Sequence, residues 1–191
     1  ELPIGARIGT SSPRRVTQLK TLRPDIQFLP IRGNVDTRLE KVLGGEYDGV
    51  VVAAAGIERL QRRLEISEFL DAEMCTPEVG QGALAIEARV DDSNILEMLA
   101  QIEHLPTAIA VKAERSFLAT IGGGCSVPLT AYATVDRDRI DILAMAAKPE
   151  VSRTIRVRVK GHVNDPESVG RLAVHDLLKA GASEIISDRV E

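Results

Sequence analysis

Val50-Val51-Val52-Ala53-Ala54 is a continuous apolar run set between Tyr47-Asp48-Gly49 and Gly56. A run this short and unbroken suits a parallel strand covered on both faces, and it is read as the central strand of an α/β sheet. Working back from it, Gly44-Gly45 ends a helix whose Val35, Leu39, Val42 and Leu43 follow the i, i+4, i+7, i+8 pattern, with Gly33-Asn34 capping its start. Residues 26–31 form the strand before that helix. Ser11-Ser12-Pro13 opens an earlier helix, with serine to cap and proline in the first turn, where its missing N–H costs nothing. Val16, Leu19 and Leu22 give this helix an apolar side, Pro24 stops it, and Arg7-Ile8-Gly9 ends the strand before it. The succession is βαβαβ, which predicts a parallel α/β domain with right-handed crossovers.

The arginines of this half stand at unusual places. Arg14 and Arg15 lie in the first turn of one helix, Arg32 and Arg38 bracket the start of the next, and Arg59 follows the third strand. Cations in a first turn oppose the helix dipole, so helix stability does not account for them. They sit at the carboxyl ends of strands, where open α/β sheets bind ligands. Backbone N–H groups and arginine forks there favour an anion with planar oxygens, carboxylate and phosphate being equally suited. Arg62-Arg63 reads instead as a solvated face.

Further on, residues 74–77 read as a short extended piece holding Cys75, a core residue with no sign of activation. Val79-Gly80-Gln81-Gly82-Ala83 leads into an alternating strand, Ala83 to Arg89, which has no sheet partner among its sequence neighbours. Ser93 to Ile102 is a short helix. Pro106 opens a long one, in which Ala110, Ala113, Phe117 and Ile121 share a face. That helix ends at Gly122-Gly123-Gly124-Cys125-Ser126. A helix cap followed by a small buried hydrophobe would look like this. Three glycines exceed what a cap needs, and they suit a sulfur that something bulky must approach.

The last third alternates. Leu129, Ala131, Ala133 and Val135 interleave with polar residues, residues 140–147 return, and Ile155, Val157 and Val159 alternate with Arg156, Arg158 and Lys160 on a basic, solvated face. Asn164-Asp165-Pro166 caps a final helix, with Val169, Leu172, Ala173 and Leu177 inward and Gly181 closing it. This predicts a small α+β domain with a three-stranded antiparallel sheet.

Composition narrows the function classes. At 191 residues and 44% hydrophobic content the chain can bury proper cores. A net charge of −4, 3% aromatic residues and no Trp argue against nucleic acid. Two cysteines fifty residues apart make no disulfide framework, so a reducing, cytoplasmic setting is expected. No apolar run approaches the ~20 residues of a membrane span. No metal is expected.

Four motifs occur in order: Gly9-Thr10-Ser11-Ser12-Pro13-Arg14-Arg15, Ile31-Arg32-Gly33-Asn34-Val35-Asp36-Thr37-Arg38, Val79-Gly80-Gln81-Gly82-Ala83 and Gly122-Gly123-Gly124-Cys125. Together they resemble the hydroxymethylbilane synthase (porphobilinogen deaminase) family of tetrapyrrole biosynthesis, with Pro13 where many members have Leu. The resemblance implies that Cys125 carries a dipyrromethane cofactor through a thioether. It implies that Ser12, Arg14, Arg15, Arg32 and Arg38 hold that cofactor, and that Arg14, Arg38 and Arg59 hold the carboxylates of porphobilinogen and of the growing polypyrrole chain. The periplasmic-binding-protein-like lobe would span residues 1–80, and 81–102 would return to an N-terminal lobe not contained here. Residues 103–191 would form the cysteine-bearing α+β domain.

The family is usually monomeric, and its proton-steering aspartate lies in that N-terminal lobe. No catalytic residue is therefore assigned here, and the chain alone is expected to be inactive without the lobe in cis or trans. A non-catalytic anion-binding module would explain the arginines but not residues 122–125. A cysteine hydrolase would need a histidine base, which the spacing of His104, His162 and His175 does not suggest.

Overall fold

The computed structural model describes residues 2–122, 128–148 and 153–187. Its first half is built on β1 (Arg7–Gly9), α1 (Pro13–Leu22), β2 (Gln27–Leu29), α2 (Val35–Leu43), β3 (Gly49–Val50) and α3 (Ala54–Arg59). The three strands are parallel, in the order β2-β1-β3. The central strand is thus β1, and the apolar run at 50–54 is not. Only Gly49 and Val50 pair with β1, Val51 N adds one bond to Gly9 O at 3.1 Å, and residues 50–54 are at most half-buried. A chain that returns past β1 after β2 leaves its last strand at the edge, however apolar that strand is.

Both helix starts are capped as expected. The Ser12 side chain accepts from Arg15 N at 3.4 Å, and Asn34 Oδ1 accepts from Thr37 N at 2.9 Å. Gly33, at φ +111°, makes the turn into α2. The buried face of α1 is a surprise: it is Arg14, Thr17 and Gln18, while Leu22 is 49% exposed. Leu43 of α2 is likewise open to solvent. Periodicity marks a stripe, but the partner decides which stripe is covered.

Residues 83–89, expected as a strand, form no ladder, and Leu84 is 81% exposed. This segment pairs with none of the strands among the described residues, and a strand without a partner is not stable by itself. α4 (Ser93–Ala100) is capped by Asp92 and buries none of its residues.

α5 (Leu105–Thr120) leads to an antiparallel sheet of β4 (Leu129–Asp136), β5 (Arg139–Lys148) and β6 (Arg153–His162), and α6 (Pro166–Leu177) follows, capped by Asp165. α5 and α6 cover one face, with Ala113, Phe117, Val169, Ala173 and Leu177 packed on Ile140, Ile142, Ala144 and Ala146. The helices touch at Gly170, where a Cβ would stand 2.3 Å from Ala113 O. Leu172 is exposed and Val174 takes the inward place expected of it. Gly181 does not close the helix: at φ +97° it kinks the chain within residues Leu178–Ala182, and α7 (Ser183–Ser187) continues. Residues 142–147 of β5 are buried on both faces, because α1 packs on β5 and β6 opposite α5 and α6.

Candidate functional site

The loops after β1 and β2 are stitched together before any ligand is considered. Ser11 Oγ donates to Ile31 O at 2.8 Å and accepts from Ile31 N at 3.0 Å. Ser12 N donates to Thr10 Oγ1 at 3.3 Å, and Thr10 N reaches Leu29 O at 2.9 Å. Arg15 Nη1 donates to Val51 O at 2.7 Å, which ties α1 to the third strand. Arg38 Nε closes the second loop on Gly33 O at 2.9 Å. These bonds hold three βα loops in one frame.

The guanidiniums on that frame have donors to spare. Arg32 and Arg59 are exposed and their side chains bond to none of the described residues, while Arg15 donates to the Val51 carbonyl and Arg38 to that of Gly33. Arg15 is held below the usual arginine range, by burial first and then by the Arg14 charge, with Arg38 adding to it. Like charges gathered and partly dehydrated in this way favour an anionic guest. Arg14 is placed differently. It is buried, and it binds Thr76 O, Glu78 and Gln81 at the junction of the two halves.

That junction was not legible in the sequence. Gln18, fully buried, accepts from Thr76 N at 2.9 Å and donates to Thr76 O at 3.2 Å. Thr130 Oγ1 donates to Pro77 O, and Glu114 accepts from Gly80 N and Ala133 N, each at 2.7 Å. Burial pushes the Glu114 carboxyl above its ordinary range, against the pull of those two N–H groups. The basic face of β6 is not simply solvated either. Arg156 Nη2 meets Gln18 Oε1 at 3.0 Å, and Arg158 pairs with Glu73 and Asp141. Arg62 is no plain solvated charge, since it pairs with Asp36 at 3.0 Å and with Glu65. Polar side chains carry no periodic signal, so nothing in the sequence announced these contacts.

Cys75 is half-buried, and burial raises its thiol above the ordinary value although Arg14, Arg15 and Arg156 oppose this. It stays a thiol at neutral pH, as expected of an unactivated cysteine. Cys125 lies outside the described residues.

Residues 1–97 match the family model described as porphobilinogen deaminase, dipyromethane cofactor binding domain, and residues 108–179 match that of the porphobilinogen deaminase C-terminal domain. The chain belongs to the porphobilinogen deaminase family. Curated relatives named porphobilinogen deaminase agree. Those of Brevibacillus brevis and Carboxydothermus hydrogenoformans are 45% and 41% identical over 189 and 188 residues, each match covering 98% of this chain. That of Bacillus pumilus is 46% identical over 193 residues, which cover 100% of this chain. The chain spans about 60% of the length of these relatives. Within the family match, all five arginines and Ser12 fall in the cofactor binding domain, and Cys125 falls in the C-terminal one. Among the described residues no helix is long and apolar enough to cross a membrane.

Proposed function

We propose that these residues are the carboxylate-binding and cofactor-bearing part of a porphobilinogen deaminase. The whole enzyme joins four porphobilinogen molecules, releases four ammonia molecules, and adds one water to free hydroxymethylbilane. One observation supports the assignment most. Arg15, Arg32 and Arg38 stand at the starts of α1 and α2 and Arg59 at the end of α3, and none of these four guanidiniums has a carboxylate partner among the described residues. Such a row fits the several acetate and propionate groups of a dipyrromethane, and it excludes neutral guests, whose binding would leave the charges unpaired.

When bound through Cys125, the dipyrromethane supplies the pyrrole end on which the product grows. The chain's own residues do the holding. Arg15, Arg32 and Arg38, with Ser12 at the cap of α1, keep the acidic side chains in register, and Arg38 and Arg59 receive those of the incoming monomer. Fixing two reactants in this way turns an encounter into an intramolecular step. Among the described residues no carboxylate is given the proton-transfer role, which this reading assigns to residues outside this chain.

The domains are proposed as 1–80, 81–102 and 103–191. The middle segment, with Leu84, Ile86, Val90 and Met98 in water, packs on the part of the family's length not contained here. The setting is proposed to be the cytoplasm, and the full-length protein a monomer.

The test is denaturing mass spectrometry of the full-length protein after cofactor loading. Cys125→Ser abolishes the adduct and Cys75→Ser keeps it. An adduct that survives in the Cys125 variant sinks the assignment. Porphobilinogen consumption by the 191-residue chain alone is the second measurement, and normal turnover there would place the acid within it.

A further inference from the structure

Among the described residues, Arg14 is the one member of the arginine set paired with a carboxylate. Its side chain is 7% exposed, and three acceptors share its guanidinium. Thr76 O takes Nη1 and Gln81 Oε1 takes Nη2 at 3.4 Å, while Nε reaches Glu78 Oε2 at 3.1 Å. Thr76 is buried and Gln81 is half-buried, but the Glu78 side chain is 55% exposed. A carboxylate arriving from solvent therefore meets Arg14 where Glu78 stands. Glu78 also lies within electrostatic reach of Arg15, the next guanidinium in the row.

We infer that Glu78 is a resident stand-in for a ligand carboxylate on Arg14, and that an acetate or propionate group binds there by displacing it. This rests on the assignment of the arginine row to ligand carboxylates. The exchange swaps one ion pair for another, so Arg14 adds little net attraction and much selectivity. A neutral group replaces Glu78 poorly, because it leaves the charge of a largely buried guanidinium to two polar acceptors alone. Glu78 itself leaves at low cost, because its carboxylate is already largely hydrated and exposed ion pairs are weak. The polar Thr76 and Gln81 contacts keep Arg14 in place during the exchange.

The experiment uses full-length protein carrying Cys125→Ser, so that only reversible binding is read. The probe is a synthetic dipyrromethane with two acetate and two propionate groups, titrated by calorimetry. Glu78→Gln and Glu78→Ala bind it about two- to fivefold more tightly, the scale of one partly exposed ion pair. Both also show a steeper loss of affinity with salt, since a net ion pair now forms on binding. The Glu78 side chain is 55% exposed and Arg14 keeps its bonds to Thr76 O and Gln81 Oε1, so both variants fold, and an unfolding midpoint measured on each checks this. Unchanged or weaker binding by both Glu78 variants, with Arg32→Ala still weakening it, overturns the inference and leaves the arginine row standing. Wild-type binding by Arg32→Ala and Arg38→Ala overturns both.

Discussion

Gln18 and Arg156 meet across the two halves of the chain, Arg156 Nη2 donating to Gln18 Oε1 at 3.0 Å. The same Gln18 amide holds the backbone of Thr76 on both sides. One buried side chain thus joins α1, the connecting segment and β6. The Nε of Arg156 is buried without a partner among the described residues, so that arginine depends on Gln18 all the more.

Gln18→Leu keeps the volume and strips these bonds. Thr76 N and an Arg156 donor then lie buried and unanswered, at a cost of about 2–4 kcal/mol. Urea unfolding measures it, and a loss below about 0.5 kcal/mol, the size of an ordinary surface change, would show that water replaces the amide.

Glu114 predicts a pH dependence. Burial raises its folded-state pKa above the unfolded value, so its stabilising contribution is complete below the unfolded pKa and is lost as pH rises through the folded one. Glu114→Gln removes that titration but brings an N–H₂ against Gly80 N or Ala133 N, a cost of about 1–3 kcal/mol. The stability lead of the wild type over Glu114→Gln therefore shrinks from the unfolded glutamate pKa towards neutrality. A lead that grows with pH in urea titrations contradicts the direction of the shift.

The Arg32 side chain bonds to none of the described residues, so its removal is cleanly functional. Arg32→Ala leaves the unfolding midpoint of the protein unchanged but weakens polycarboxylate binding by about 1.5–3 kcal/mol, tenfold or more. Arg38→Ala behaves alike in binding and loses a little stability through its Gly33 contact. Wild-type affinity and turnover in both variants would falsify the anion-site assignment.

Gly170→Ala tests the α5–α6 contact. The new methyl meets Ala113 O at 2.3 Å and Phe117 N at 2.8 Å, both backbone atoms that cannot rotate aside. The helices must part, which costs about 1–3 kcal/mol or more and lowers the thermal midpoint. An unchanged midpoint means that the two helices are not in contact there.

Local chemistry was readable in the sequence itself. Ser12, Asn34 and Asp165 cap helices because a side-chain oxygen reaches an N–H three residues on. The βαβαβ order and the antiparallel 4-5-6 sheet follow from periodicity and position, which are properties of neighbouring residues. Tertiary structure alone decided the rest. It made β1 central instead of the apolar run at 50–54, covered the polar side of α1 and left Leu22 exposed, and turned Arg156 from a solvated face towards Gln18, 138 residues away in the chain. Whether a side chain is buried depends on what lies against it. That neighbour comes from a distant part of the chain, and a polar group buried in this way leaves no periodic trace.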